Sequence, residues 1–359
     1  MKTQQPISKR MLGVSAVAVG LASALYVSNK ARRSVEENPP KGRFLNVDGV
    51  RLHYIESGVG PPVILLHGNA VSHADFLSSG LFSRLAATHR VIAFDRPGYG
   101  HSPRPNTTKW TPKAQAELML SALRPLGIAE PAVVVGHSMG TVVALEMALT
   151  QAAVIKKLVL IAGYFYPERR LDVAFAAPLT WPYVGTALLY TIAGLSTRLL
   201  FNRIVKGIFA PDTAPAHFVP LLSQELMLRP SQLRASAEDA EYLRPAALEM
   251  YSKYPSLEMP VTIVAGGKDP VVDPEAHSIR LHGDIVQSNL ILKPLAGHMV
   301  HYTAVDEIVA NVTASKCELN KRATTPLDGG ARYDTAEMLR THSPDRWPAD
   351  NSVADEPLG

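Results

Sequence analysis

A serine stands between two glycines in Gly136-His137-Ser138-Met139-Gly140, at the end of the apolar run Pro131–Val135. The run has the length of a short buried strand, and Thr141–Leu149 reads as a helix. A serine on so sharp a strand-to-helix turn has its Oγ pushed out to where a base and a substrate can reach it. Glycines suit the flanks because side chains there would clash in the tight turn. A serine hydroxyl is a poor nucleophile unless a base removes its proton as it attacks. The motif therefore calls for a histidine, and for a carboxylate to orient that histidine.

Two loops supply them. Gly266-Gly267-Lys268-Asp269-Pro270 follows the predicted strand Val261–Ala265, and Ala296-Gly297-His298-Met299 follows Leu290–Leu292. The order Ser138, Asp269, His298 is the one expected for this kind of turn. His301 is the chief rival base and Asp273 the rival acid, while His277 and His282 fall in a predicted helix. His67 reads as a support for its loop, His137 as a packing residue, and Asp95 as the holder of its own turn through hydrogen bonds.

The elements that must position these residues alternate. Arg43–Val47 and Val50–Glu56 form a hairpin about Asp48-Gly49. Pro62–Leu66 leads into His67-Gly68-Asn69, Phe76–Ala87 has helical spacing, and Arg90–Phe94 ends at Asp95-Arg96-Pro97-Gly98-Tyr99-Gly100. Thr111 is an N-cap with Pro112 at the first helical position. Lys157–Ala162 is a further strand. The pattern predicts an α/β fold, a mostly parallel twisted sheet with helices on both faces. Its sites form at the carboxyl ends of the strands. Between residues 163 and 254 no strand is predicted. That stretch holds apolar helical pieces broken by prolines and reads as an inserted helical cap. Val184–Phe201 is apolar enough to raise a second membrane helix, but Arg198 and the prolines favour a lid over the substrate. The division expected is 1–42 signal or anchor and linker, 43–162 first part of the core, 163–254 cap, 255–317 second part of the core, and 318–359 a weakly structured tail.

The 359 residues carry a formal net charge of +4, but the basicity is local. Residues 1–43 hold eight Lys and Arg against Glu36 and Glu37, which leaves the remainder slightly acidic. Nothing points to nucleic acid, which needs a basic face with a recognition motif. The one cysteine, Cys317, excludes an internal disulfide. Lys2, Lys9 and Arg10 precede an uncharged apolar stretch, Met11–Val27. Ala22-Ser23-Ala24 has the small-x-small form of a signal-peptidase site. The apolar run continues past it, as an uncleaved anchor would. Export or membrane anchoring through residues 11–27 is the expectation, with Ser28–Gly42 as the linker.

Together, His67-Gly68-Asn69, Asp95–Ser102, Gly136–Gly140, Asp269 and Gly297-His298 resemble the α/β-hydrolase fold family, the serine-nucleophile branch with a helical cap, over residues 42–316. The resemblance implies Ser138 as the nucleophile that forms an acyl-enzyme. It implies His298 as general base and then acid, and Asp269 as the group that fixes the imidazole tautomer. It implies an oxyanion hole from the backbone N–H groups of Asn69 and Met139, and no metal or organic cofactor. Haloalkane dehalogenases and epoxide hydrolases of this fold place an aspartate at the elbow, which Ser138 argues against. Carbon–carbon-bond hydrolases usually have Gly-Gly after the elbow Met and a Trp after the histidine, where this chain has Gly140-Thr141 and Met299. Proline iminopeptidases usually have Trp at the position of Met139. Hydrolysis of an ester of a small or medium apolar carboxylic acid is the first expectation. The alternatives are a cofactor-free haloperoxidase, perhydrolase or lyase on the same residues, and a non-catalytic membrane-associated binding protein.

Overall fold

The computed structural model describes residues 9–168 and 170–314; the tail expected over 318–359 lies outside them. Eight strands form one sheet: β1 (Arg43–Val47), β2 (Val50–Ser57), β3 (Pro62–Leu66), β4 (Arg90–Phe94), β5 (Ala132–His137), β6 (Ile155–Ile161), β7 (Val261–Gly266) and β8 (Ser288–Lys293). Their order is β1-β2-β4-β3-β5-β6-β7-β8. The β1–β2 and β2–β4 pairs are antiparallel, and every pair from β4 to β8 is parallel. The central strands are buried on both faces. In β3, Ile64 and Leu66 join one apolar cluster while Val63 and Leu65 join the other, and β5 and β6 split the same way. Such strands read as continuous apolar runs because helices cover both sides.

Outside the sheet stand α1 (Lys9–Glu37), α2 (Ala74–Ser78), α3 (Leu81–Ala86), α4 (Pro112–Leu123), α5 (Met139–Thr150), α12 (Arg280–Asp284) and α13 (Val305–Thr313). The cap is helical: α6 (Leu171–Ala176), α7 (Val184–Tyr190), α8 (Ile192–Phe209), α9 (Phe218–Leu222), α10 (Gln224–Met227) and α11 (Pro230–Met250) all fall between β6 and β7. α4 starts as predicted, with Thr111 Oγ1 accepting from the Ala114 N–H.

Three elements differ from expectation. Phe76–Ala87 is two short helices, because Gly80 sits between them at φ 78°. α1 runs ten residues into the expected linker, since no helix breaker occurs before Pro39-Pro40. α11 continues through Pro245, where the buried neighbours Leu243, Ala246 and Ala247 hold it in place. Among the described residues no single helix is long and apolar enough to cross a membrane. α7 and α8 would pass together, bent by 46°.

Candidate active site

The carboxyl ends of β5, β7 and β8 bring three of the predicted residues to one edge of the sheet. Ser138 follows β5 directly and starts α5, with φ 50° and ψ −118°. These are strained angles for a residue with a Cβ, of the kind that persists only where surrounding packing enforces it. The enforcement is visible. The Ser138 N–H donates to the Ile161 carbonyl at 2.8 Å. A Cβ on Gly140 would strike the Leu66 and His67 carbonyls, and one on Gly136 would strike the Gly140 backbone. Both glycines are therefore required by close backbone approach. Met139 is the first residue of α5, so its N–H has no intrahelical acceptor. The positive end of the helix dipole lies there.

Asp269 and His298 are paired. His298 Nδ1 lies 2.8 Å from Asp269 Oδ2, and both side chains are buried. Asp269 Oδ1 accepts the Val271 and Val272 N–H groups at 2.7 and 3.0 Å. With its other oxygen so held, the carboxylate accepts a hydrogen bond from Nδ1–H and leaves Nε2 as the basic atom of His298. Burial pulls the His298 pKa below its ordinary value, and the Asp269 hydrogen bond opposes that in part. The histidine loop lies beside the elbow. His137 Nε2 is 3.3 Å from the His298 carbonyl oxygen, and the two rings are 5.2 Å apart. Among the described residues no hydrogen bond joins Ser138 to His298.

The rivals are engaged elsewhere. His301 Nε2 is 3.0 Å from Asp75 Oδ2, and both are fully buried. Asp273 Oδ1 accepts from the Glu275 and Ala276 N–H groups. Asp75 was not legible as a site neighbour. It also accepts from Tyr302 Oη at 2.8 Å and lies 3.5 Å from His137 Nδ1, so it ties α2 to both the elbow and the histidine loop. Burial opposes ionisation of Asp75, but His301 and His137 beside it hold its carboxyl well below the usual carboxylate range.

The loop after β3 closes the site. Gly68 lies against the elbow, where a Cβ would come within 3.2 Å of Ser138 Cβ. His67 Nδ1 donates to the Gly68 carbonyl at 2.7 Å, and Nε2 accepts the Arg96 N–H at 3.0 Å. This is a neutral imidazole, and burial pushes its pKa down to about 3. It acts as a brace for the loop. Asn69 is held through its side chain, with Oδ1 accepting from Tyr99 Oη at 2.6 Å and Nδ2 donating to the Ser236 carbonyl at 3.0 Å. Asp95 holds its turn: it accepts from the His101 N–H and lies within 2.8 Å of His53 Nδ1 and His73 Nδ1. Behind Asp269 is an open polar cleft lined by Glu168, Asp273 and Glu275. Its carboxylates make it a poor host for an apolar acyl chain.

The cap reaches the site through α11 and the end of α8. Asp239 on α11 accepts from Arg96 Nη1 at 2.5 Å and lies 2.9 Å from Tyr99 Oη, all buried. A Cβ on Gly297 would strike the Ala210 carbonyl at the end of α8.

Comparison with known proteins agrees with this architecture. Haloalkane dehalogenase 2 of Mycobacterium tuberculosis is 24% identical over 280 residues, 76% of this chain and 94% of the relative. The cis-3-alkyl-4-alkyloxetan-2-one decarboxylase of Shewanella oneidensis is 23% identical over 318 residues, 84% and 96% of the two chains. The solved enol-lactonase of Burkholderia xenovorans LB400 superposes with a TM-score of 0.62 at 18% identity, covering 78% of this chain and all of that one. A thermophilic esterase of Thermogutta terrifontis superposes at 0.61 with 19% identity, covering 79% and 99%. The family model for the α/β-hydrolase fold matches residues 61–305, and the chain belongs to that family.

Proposed function

We propose that the protein is a serine hydrolase that cleaves an ester of a small or medium apolar carboxylic acid through an acyl-enzyme. The observation that carries this reading is the buried 2.8 Å Asp269–His298 pair, beside a serine held in a strained turn. Ser138 Oγ attacks the ester carbonyl carbon as His298 Nε2 takes its proton. Asp269 fixes the tautomer and stabilises the imidazolium that forms. The backbone N–H groups of Asn69 and Met139 receive the oxyanion, and a donor in such a place contributes about 3 kcal/mol. His298 then protonates the departing alcohol, and water repeats the sequence to release the acid. The serine–histidine hydrogen bond is the contact this cycle still has to make. Such bonds tighten when substrate aligns the two groups.

The relatives' names span dehalogenase, decarboxylase, lactonase and esterase. Ser138 at the elbow favours the acyl-transfer chemistries among these over dehalogenation. A fluorophosphonate probe should label the folded protein at Ser138. No label would count against the acyl-enzyme. Ser138→Ala should abolish turnover of a p-nitrophenyl ester series, whose chain-length optimum reports the acyl pocket. We further propose that the N-terminal segment holds the enzyme at a membrane. The exposed apolar side chains of Val17, Val19, Leu21 and Leu25 on α1 support this.

A further inference from the structure

α8 separates two apolar environments. Its inner face buries Phe201, Val205 and Phe209 in a cluster with Val71 and Met299, the residue after His298. Its outer face carries Ile192, Leu199, Leu200 and Ile204, with Leu199 86% exposed. α7 and the turn before it add Trp181, Tyr183 and Val184, and α6 adds Phe175, all exposed. Exposed apolar residues scattered singly need no explanation, whereas a set spread over three consecutive helices does.

The N-terminal helix packs against the cap at the buried face of α8. Val27 is fully buried, and a Cβ on Gly194 of α8 would come within 3.2 Å of it. Lys30 Nζ lies 4.0 Å from Glu225 on α10. The exposed apolar residues of α1 before Val27 belong to the helix that these contacts fasten to the cap.

Charge selects the partner. From Val173 to Pro211 the chain contains no Asp or Glu and three basic residues, Arg198, Arg203 and Lys206. Arg198 is bonded to Glu225 at 3.0 Å. Arg203 and Lys206 are exposed beside Ile204. A second copy packed symmetrically here would set like charges against each other, whereas anionic head groups would neutralise them. The geometry favours lying on the membrane over crossing it, because Gly185, Leu189, Phe201 and Val205 are committed to protein on the inner side.

We infer that the outer face of α7 and α8 seats in the head-group and acyl boundary of an anionic bilayer. Its inner face then stands between the lipid and the candidate site, so the substrate class would be esters dissolved in the bilayer. That substrate class rests on the hydrolase reading, but the docking does not.

The test uses the full chain carrying Cys317→Ser, with an environment-sensitive NBD label at Leu199→Cys. A control label at Val286→Cys occupies an exposed residue just before β8, at the opposite edge of the sheet from the site. With vesicles of phosphatidylglycerol and phosphatidylcholine, the label at 199 should brighten severalfold, shift to the blue and be quenched by doxyl lipids. The label at 286 should not respond. Arg203→Gln with Lys206→Gln should weaken partitioning about thirtyfold, from about 1 kcal/mol per basic residue near an anionic surface. Vesicle binding with a silent label at 199 would overturn the inference and leave anchoring by α1 alone. A response without lipid that rises with protein concentration, with doubled mass in light scattering, would overturn it in favour of a second copy. No vesicle binding at all would overturn both the inference and the proposed membrane attachment. Fluorophosphonate labelling of Ser138 in the same samples reports the hydrolase reading separately.

Discussion

His298 and His301 are three residues apart, and each meets a different buried carboxylate, Asp269 and Asp75. His301 uses Nε2 on Asp75, and its Nδ1 is buried with no hydrogen bond to Ser138 among the described residues. His298 uses Nδ1 on Asp269 and keeps Nε2. We therefore expect His298→Ala to abolish esterase turnover and His301→Ala to leave Ser138 reactive toward a fluorophosphonate; the reverse result would reassign the base. Asp269→Asn should lower kcat about 10⁴-fold, because an amide no longer fixes the imidazole tautomer. The pH dependence follows from burial. The base works only when neutral, and His298 has a pKa below its ordinary 6.5, with burial as the main cause. A lowered pKa keeps the ring neutral further into acid. The acid limb of kcat/KM should then have its midpoint below 6.5, and a midpoint above that value would show that another group controls it.

At the scale of elements, the cap is fastened to the core by one buried charge cluster. Asp239 on α11 meets Arg96 after β4 at 2.5 Å and Arg104 at 3.0 Å, and Gln115 on α4 donates to it at 3.0 Å. Asp239→Ala would leave two buried guanidinium groups short of a carboxylate, at a cost of about 3–5 kcal/mol. Urea unfolding should show the loss as a lower midpoint. Arg96→Met with Asp239→Leu should recover part of it, because that pair removes the charge with its partner. None of this cluster was legible in the sequence, since Arg96 and Asp239 stand 143 residues apart. The same holds for Asp75 and His301, 226 residues apart. What could be read was local. The strand-to-helix turn at Ser138 announces itself through glycines whose Cβ atoms would strike backbone, and α4 through Thr111-Pro112. The loops of Asp269 and His298 follow apolar runs long enough to be strands. Reading failed where a single residue was weighed against its surroundings. Gly80 split a helix that spacing alone continues, and packing carried α11 through Pro245.

Across the whole molecule, three fully buried carboxylates join segments that are distant in sequence. Asp75 links α2 to the histidine loop, Asp95 links β4 to β2 and α2, and Asp239 links the core to the cap. Histidines and arginines hold all three below their ordinary pKa of 3.8. A carboxylate depressed in the fold contributes stability that is complete above its unfolded pKa, about 3.9, and is lost as pH falls below that value. Buried histidines act in the same direction from a higher starting point. Burial pushes His67 down to about 3, and His301 and His277 to about 4. The unfolded chain takes up protons on these rings near 6.5 while the folded chain does not, so their contribution begins to fall below that pH. The two classes predict a two-stage decline on acidification. Thermal midpoints should be level above about pH 7, fall gradually from about 6.5 as the unfolded histidines charge, and fall steeply below about 4 as the carboxylates protonate. Differential scanning calorimetry between pH 8 and 3 would follow both stages. A midpoint unchanged from pH 7 to 5 would mean that these histidines are not held neutral by the fold, and the roles given to His67 as a brace and to His301 as the partner of Asp75 would have to be redrawn.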